Sequence, residues 1–199
     1  MGNQILESSR EVERTVALRN GALVVLRPIR PDDAPRLVAF HARLSAETIY
    51  RRFFSRMKAL PPDLARHFAN VDFRRRIAIV AEPYGNAVPT VIGVARCEPT
   101  EEPATAEVGL VVEDAWQGLG LGPILLRTLL HAAERCGVLD FRADVLASNG
   151  RMIRLLTRSV DITRRTTQRG VTEIRFRARR SAALEPSAPL DVARPAAVP

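Results

Sequence analysis

Three alternating glycines stand directly before an apolar segment of helical periodicity, in the stretch WQGLGLGPILLRTLL at residues 116–130. Apolar residues from Leu121 to Cys136 recur at steps of three and four, which predicts an amphipathic helix beginning near Gly122. The preceding segment, TAEVGLVVED, is typical of a strand. A glycine turn between a strand and a helix leaves amide groups unpaired at the positive end of the helix dipole. The stretch therefore predicts a turn that binds phosphate oxygens.

Two common phosphate-binding motifs do not match this turn. The Walker loop requires a lysine inside GxxxxGK[ST], and no lysine follows Lys58 in this chain. The dinucleotide fingerprint GxGxxG belongs early in a βαβ unit, whereas Gly118, Gly120 and Gly122 occur late and after several strands. A tight turn with no ligand remains the alternative interpretation.

The pattern of the whole chain predicts a single α/β (α+β) domain. One strand at residues 22–29 is followed by two or three short helices, a meander of three strands, the amphipathic helix, a strand, a further helix and a closing antiparallel pair. We expect a polar N-terminal extension at residues 1–20, the folded domain at 21–178 and a disordered Ala/Pro-rich tail at 179–199.

Composition excludes several classes of protein. No apolar run reaches the roughly 20 residues of a membrane span, and the N-terminus is too charged for a signal peptide, so we expect a soluble cytoplasmic protein. Cys97 and Cys136 lack the spacing of a zinc or redox site. The three histidines, His41, His67 and His131, have no acidic or cysteine partner at ligand spacing, so no metal is expected.

The positive charge lies mainly in one segment. Residues 151–180 contain ten arginines and two acidic residues, enough to account for the net charge of +8. This distribution suits an anionic ligand, and nucleic acid is one candidate. Lys58 is the single lysine of the chain and Phe176 is the single aromatic residue of the basic segment, so a base-stacking surface is not favoured.

At QGLGLG the chain resembles the GNAT superfamily of N-acetyltransferases, whose signature is Q/R-x-x-G-x-G/A. The context agrees, because the signature follows the strand EVGLVVED and precedes VLASNGRMIRLL, which is similar to the family's next strand and Asn-led helix. Residues 29–54, IRPDDAPRLVAFHARLSAETIYRRFF, resemble the opening of the bacterial Pat-type protein lysine acetyltransferases, with I-R-P-x-D and L-S-x-E-x-x-Y-x-R-F-F elements. The resemblance implies the GNAT fold, a mixed and mostly antiparallel sheet flanked by helices, with an acyl-CoA cleft between its central strands.

The resemblance also implies the cosubstrate and its site. Acetyl-CoA would be the acetyl donor, with its pantetheine arm and acetyl carbonyl paired to the strand before the signature and its pyrophosphate held by the glycine turn. Asn149 matches an asparagine that commonly contacts the cofactor, although a helix-capping role is equally consistent with its position. The implied cofactor residues are Leu110, Val111, Val112, Gln117, Gly118, Leu119, Gly120, Leu121, Gly122, Pro123 and Asn149.

Transfer of the acetyl group to an amine requires a base for the ammonium proton and a donor for the oxyanion. Glu107 matches the glutamate that is the base in several family members, and we expect it to be buried against the apolar sheet. A solvated residue at the entry of the strand is the alternative. Asp144, five residues before Asn149, is a second and weaker candidate.

Two positions depart from the family pattern. Leu156 occupies the place of a tyrosine that often protonates the leaving thiolate, and Ser159 to Asp161 replace the usual LGF, which puts the end of the last helix in doubt.

Taken as a whole, the resemblance implies an N-acetyltransferase that acts on a protein lysine by direct attack in a ternary complex. A small-molecule amine acetyltransferase and a non-catalytic acyl-CoA-binding module remain alternatives. Tyr50, Arg51 and Arg52 either line the acceptor side or pack the second helix.

Overall fold

The computed structural model describes residues 12–179, which form an eight-stranded sheet with five helices distributed over its two faces. The strands are β1 (Arg14–Ala17), β2 (Leu23–Pro28), β3 (Ile77–Pro83), β4 (Gly93–Pro99), β5 (Thr105–Val112), β6 (Asp140–Leu146), β7 (Val160–Gln168) and β8 (Val171–Ala178). The helices are α1 (Ala34–Arg43), α2 (Ala46–Phe53), α3 (Pro62–Ala69), α4 (Leu121–Arg135) and α5 (Gly150–Ser159), with short 3-10 turns at Pro31–Asp33 and Asp114–Trp116.

The sheet has the order β1-β2-β3-β4-β5-β6-β8-β7. Among these described strands every neighbouring pair is antiparallel except β5 and β6, which are parallel because α4 carries the chain across the sheet between them. The parallel pair is short, since only Thr105–Glu107 and Asp140–Arg142 are in register. Both strands continue beyond this contact without pairing to each other, and a cleft opens between them.

Side-chain alternation along β5 divides the interior into two cores. Ala106, Val108 and Leu110 join the core that lies under α4 and α5. Val111 points to the opposite face and packs with the core under α1, α2 and α3. Two-sided burial makes the central strands mostly apolar. Within residues 12–179, no helix has the length and apolarity needed to cross a membrane.

The predicted architecture is confirmed, and the domain boundary at residue 21 is wrong. Arg14–Ala17 pair with β2, so residues predicted as an extension are part of the sheet. The strand was missed because four residues of mixed polarity, RTVA, give little periodic signal. The departure at 159–161 is accommodated, because α5 ends at Ser159 and β7 begins at the next residue. Most of the predicted tail, residues 180–199, lies outside the described part of the chain.

The I-R-P-x-D element has a structural role. Asp33 is fully buried and accepts hydrogen bonds from Arg27 Nη1 at 2.7 Å, Arg27 Nη2 at 2.8 Å, the Arg30 amide at 2.8 Å and Arg36 Nη1 at 2.7 Å. Arg27 also donates to Glu82 at 2.6 Å. Burial alone would raise the pKa of Asp33, but these hydrogen bonds lower it. The element therefore joins β2, β3 and the start of α1 through one buried charge network.

His41 is a buried histidine without polar partners. Its side chain on α1 is 2% exposed, and neither ring nitrogen has a hydrogen-bond partner among the described residues. The ring packs against Phe53, with 5.8 Å between ring centroids. Burial lowers the pKa of His41, because the imidazolium would lose its hydration with nothing to replace it.

We expect His41 to make the protein less stable in mild acid. The folded state resists a proton that the unfolded state binds below a pKa of about 6.5, so the free energy of unfolding is highest above that pH and falls as the pH drops through it. Urea unfolding of the wild type at pH 8 and pH 5.5 should show the loss, and His41→Phe should reduce it. The same pH dependence in His41→Phe would rule out this origin.

Candidate active site

The divergence of β5 and β6 opens a cleft of about 670 Å³. Its walls come mainly from β5, β6, the glycine turn before α4, the N-terminal part of α4 and helices α2 and α5, with Arg19 from the turn between β1 and β2. A volume of this size is typical of a ligand pocket. The cleft therefore lies where the topology changes from antiparallel to parallel pairing, and its position follows directly from the short contact between the two strands.

The glycine turn has the geometry of an anion cradle. Gly118 and Gly120 have φ of +80° and +96°, a region that residues with a side chain rarely adopt. Gly120 precedes α4, and no side chain caps that helix, so the amides of its first turn face the cleft region without a capping partner. Gly122 differs, because a Cβ there would lie 3.0 Å from Leu155 Cδ1, so this glycine permits close packing of α4 on α5.

Gly120→Ala should weaken binding of acetyl-CoA, the ligand that the resemblance implies, by about tenfold. Holding a side chain in the left-handed region costs roughly 1–2 kcal/mol, which displaces the turn and its amides. Isothermal titration with acetyl-CoA measures the effect. Gly137→Ala is the matched control, because Gly137 has φ of +88°, no atom within 4 Å of an added Cβ, and a place at the far end of α4. Equal losses of affinity in the two variants would contradict a role of the turn in binding.

Most of the predicted cofactor residues meet in the cleft, and two do not line it. Leu121 is 1% exposed and belongs to the core under α4, because it begins the apolar stripe of that helix. Leu119 is half-buried against the same core. The predicted residues that line the cleft are Leu110, Val111, Val112, Gln117, Gly118, Gly120, Gly122, Pro123 and Asn149.

Asn149 caps helix α5. Its side-chain oxygen accepts a hydrogen bond from the Met152 amide at 3.1 Å, which is the capping alternative considered for this residue. Its side-chain nitrogen Nδ2 has no hydrogen-bond partner among the described residues, and Asn149 lines the cleft. A capped Asn149 is thus held rigidly with one donor still available.

A polar network joins the Pat-like helix α2 to the glycine turn, and the sequence pattern gave no indication of it. Asp114, in the 3-10 turn after β5, accepts hydrogen bonds from Ser45 Oγ at 2.7 Å and Thr48 Oγ1 at 2.8 Å. The Gln117 amide donates to Thr48 Oγ1 at 3.3 Å and to the Val112 carbonyl at 3.0 Å. Arg151 Nη1 donates to Gln117 Oε1 at 2.5 Å. The side chain of Gln117 therefore fixes the turn to both walls of the cleft.

Glu107 and Asp144 lie on the same face of the sheet, but Glu107 is not buried as predicted. Its side chain is 49% exposed and forms an ion pair with Arg142 Nη2 at 2.8 Å, because the parallel register places these two residues opposite each other. Asp144 follows Arg142 by two residues and also lines the cleft. Partial burial, with the charges of Glu107 and Glu173, raises the pKa of Asp144 although Arg142 opposes the shift. The two carboxylates thus have different environments within one cleft.

Positive charge surrounds the glycine turn. Arg19, from the turn between β1 and β2, donates its backbone amide to the Leu119 carbonyl at 3.0 Å, and its side chain lies about 3.6 Å from where a Cβ on Gly120 would be. Arg154 and Arg158 on α5 also line the cleft. Within residues 12–179, none of these three arginines forms an ion pair through its side chain. The arrangement suits a ligand that carries several phosphate charges.

The same residues contain no candidate metal centre. Among residues 12–179, no group of three or more histidine, cysteine or acidic side chains is placed to hold an ion. Cys97 is fully buried, and burial raises the pKa of its thiol to about 12. The cleft combines a strand edge, an amide cradle, basic side chains and two carboxylates, an arrangement that suits a polyanionic ligand.

Comparison with known proteins agrees with this class of site. The family model described as "Acetyltransferase (GNAT) domain" matches residues 24–159. Acetyltransferase PA5475 of Pseudomonas aeruginosa is 30% identical over 136 residues, covering 68% of this chain and 73% of that protein. Acetyltransferase Pat of Mycolicibacterium smegmatis is 35% identical over 144 residues, covering 72% of this chain and 42% of that protein.

A solved structure is also similar to this chain and belongs to the same class of protein. The crystal structure of the GNAT domain of S. lividans PAT superposes with a TM-score of 0.75 at 32% identity, covering 84% of this chain and 97% of that domain. The chain belongs to the GNAT acetyltransferase family, whose members transfer an acetyl group from acetyl-CoA. The Pat-like character predicted from residues 29–54 is confirmed by the two Pat relatives.

Proposed function

We propose that this protein transfers acetyl from acetyl-CoA to a protein lysine by direct attack in a ternary complex. The family membership supports the donor and the reaction. The observation that supports a protein acceptor is the position of the Pat-like segment: it forms α1 and α2, and Thr48, Arg51, Arg52 and Phe54 of α2 and its C-terminal cap line the cleft.

The donor half of the cleft would hold acetyl-CoA along β5. Backbone groups of Leu110, Val111 and Val112 pair with the pantetheine arm and the acetyl carbonyl in this proposal, because β6 does not pair with that part of the strand. The amides around Gly118 and Gly120 receive the pyrophosphate, with Arg19, Arg151 and Arg154 adjacent. Acetyl-CoA supplies the activated acetyl group, and the chain supplies the orientation.

The acceptor half is open and partly aromatic. Tyr50 is 44% exposed and Phe54 is 40% exposed, and both belong to the end of α2. Phe54 adopts φ of +53°, which ends the helix and holds its ring outside the core under α1, α2 and α3. Phe54 lines the cleft, and an exposed aromatic side chain at such a position suits contact with another macromolecule. This feature favours a protein acceptor over a small amine.

The chemistry requires removal of a proton from the acceptor ammonium before the amine attacks the thioester carbon. We propose Glu107 as the base, acting through water because its carboxylate is solvent-exposed and paired with Arg142. Asp144 is the second candidate, and its raised pKa fits a proton acceptor. Leu156 lines the cleft, but its hydrocarbon side chain has no acidic proton, so in this proposal the leaving thiolate takes its proton from solvent.

Release of free thiol from acetyl-CoA tests the proposal. Lysine-containing peptides or proteins, free lysine and polyamines should be compared at equal amine concentration, with acetylated products identified by mass spectrometry. We expect turnover with protein lysines to exceed that with small amines. Turnover with small amines alone would favour the small-molecule alternative. Tight binding of acetyl-CoA without turnover on any acceptor would favour a binding module.

A further inference from the structure

Arg52 is a cleft-lining cation without an acidic partner. Its guanidinium lies against β5 at Gly109, where an added Cβ would overlap the guanidinium nitrogens. It approaches the ring of Phe53, with 5.2 Å from Cζ to the ring centroid. Among the described residues it forms no hydrogen bond and no ion pair. The neighbouring Arg51 also lines the cleft but differs, because it pairs with Glu47 at 2.5 Å.

A second cavity lies behind Arg52. It has a volume of about 40 Å³, enough for a water molecule or a small anion, and it lies between β4, β5 and helices α1 to α3. Arg52 and Arg96 are the two charged residues that line it, and the other lining residues are apolar apart from Gly109: Leu37, Phe40, Phe53, Leu60, Phe68, Val94 and Val111. Arg52 also lines the main cleft, so its side chain lies between the main cleft and the small cavity.

The charges around the small cavity do not balance. Glu98 is shared, because it accepts from Arg76 Nε at 2.6 Å and also pairs with Arg96. Arg96 stacks over the ring of Phe68, 4.1 Å from its centroid. Among the described residues, Arg52 has no carboxylate within ion-pairing distance. Burial, followed by the charge of Arg96, lowers the pKa of Arg52 to about 10, although the more distant charges of Glu107 and Glu98 oppose the shift. Burying a cation without an ion-pair partner is unfavourable, and a bound anion would remove that cost.

We propose that Arg52 and Arg96 form an anion-binding site at the inner wall of the cleft, which takes one carboxylate group or a monoanion of that size. Guanidinium groups recognise carboxylates through paired N–H donors, and the cavity volume excludes larger ions. The carboxylate comes either from a free acid such as acetate or from a substrate in the main cleft. The second source rests on the proposed position of the acyl group beside Leu110; the first does not.

Thermal unfolding in the presence of small anions tests the site. Acetate should raise the unfolding midpoint of the wild type by several degrees in a saturable manner, at constant ionic strength maintained with a bulky anion. Arg52→Gln should lose this response, and without acetate its midpoint should equal or exceed that of the wild type. Arg66→Gln is the matched control, because Arg66 is an exposed arginine on α3. A response to acetate that is equal in wild type and Arg52→Gln would overturn the proposal.

A second variant keeps the charge. Gly109→Ala should push the guanidinium away from β5 and weaken acetate binding at least tenfold while the net charge stays the same. Unchanged acetate binding in Gly109→Ala would also contradict the proposed site.

The source of the carboxylate is identified by comparing the protein's complexes with two acyl donors, acetyl-CoA and succinyl-CoA. If acetate stabilises the acetyl-CoA complex but not the succinyl-CoA complex, the acyl chain of the donor supplies the carboxylate. If acetate stabilises both equally, the occupant is a free anion. The affinity for acetyl-CoA itself reports separately on the proposed function.

Discussion

Glu107→Gln lowers kcat by about 10²–10⁴-fold if Glu107 is the base, since that is the usual contribution of general acid–base catalysis. The substitution removes the proton-accepting oxygen and keeps the shape of the side chain. Acetyl-CoA affinity should stay the same, because the proposed phosphate and pantetheine contacts lie elsewhere. Initial rates of thiol release at saturating acetyl-CoA and acceptor measure the effect.

Glu102→Gln is the matched control for Glu107→Gln. The Glu102 side chain is 48% exposed and pairs with an arginine, Arg175, much as Glu107 does with Arg142, but it does not line the cleft. Its kcat should remain close to that of the wild type. Asp144→Asn separates the two candidate bases: a large loss there with normal kcat in Glu107→Gln would move the role to Asp144. In that case, the raised pKa of Asp144 would also shift the acid limb of the pH–rate profile to higher pH.

Asp33→Asn should reduce the free energy of unfolding by about 3 kcal/mol, because breaking a buried ion pair leaves an uncompensated charge. If the NH2 group replaces Oδ2, Arg27 keeps Glu82 but loses one of its two hydrogen bonds to residue 33, and the Arg30 amide loses its acceptor. Since the pKa of Asp33 is lowered in the folded state, its contribution is present above the unfolded pKa of about 3.9 and is lost as the pH falls below it.

Urea unfolding of Asp33→Asn and Asp32→Asn at pH 7 gives a clean comparison. Asp32 is the preceding residue in the same 3-10 turn and is exposed, so its substitution should change stability by less than about 0.5 kcal/mol. Catalytic constants of correctly folded Asp33→Asn should be close to normal, because Asp33 does not line the cleft. Similar losses in the free energy of unfolding in both variants would show that the buried network contributes no more to stability than an exposed carboxylate does.

The parts of the fold that sequence reasoning predicted well are those with strong local signals. The amphipathic period of α4, the glycine turn before it and the apolar strands β3 to β5 are each determined by neighbouring residues. Strand β1 was missed because its pairing with β2 depends on a tertiary contact rather than on its four residues. The donor half of the cleft could also be predicted from local signals, because its residues are nearly contiguous in the chain.

The acceptor half was harder to predict because it depends on distant pairings. The exposure of Glu107 is set by Arg142, which reaches it through the crossover of α4 and the register of the parallel pair. The network around Asp114 requires α2 to approach the turn after β5. Arg52 lies on Gly109 because α2 packs against β5 there. None of these relations has a local pattern in the sequence.

Because the parallel contact between β5 and β6 is only three residues long, the sheet consists of two antiparallel halves joined along a narrow seam. The first half runs from β1 to β5, and the second consists of β6, β8 and β7, so within each half the strands pair mainly with near neighbours in the chain. A ligand seated in the cleft contacts both halves at once. Its binding free energy then opposes their separation, by about 2.7 kcal/mol at a ligand concentration of about one hundred times Kd. Acetyl-CoA would thus stabilise the contact between the two halves of the sheet while it is bound, in addition to being a reactant.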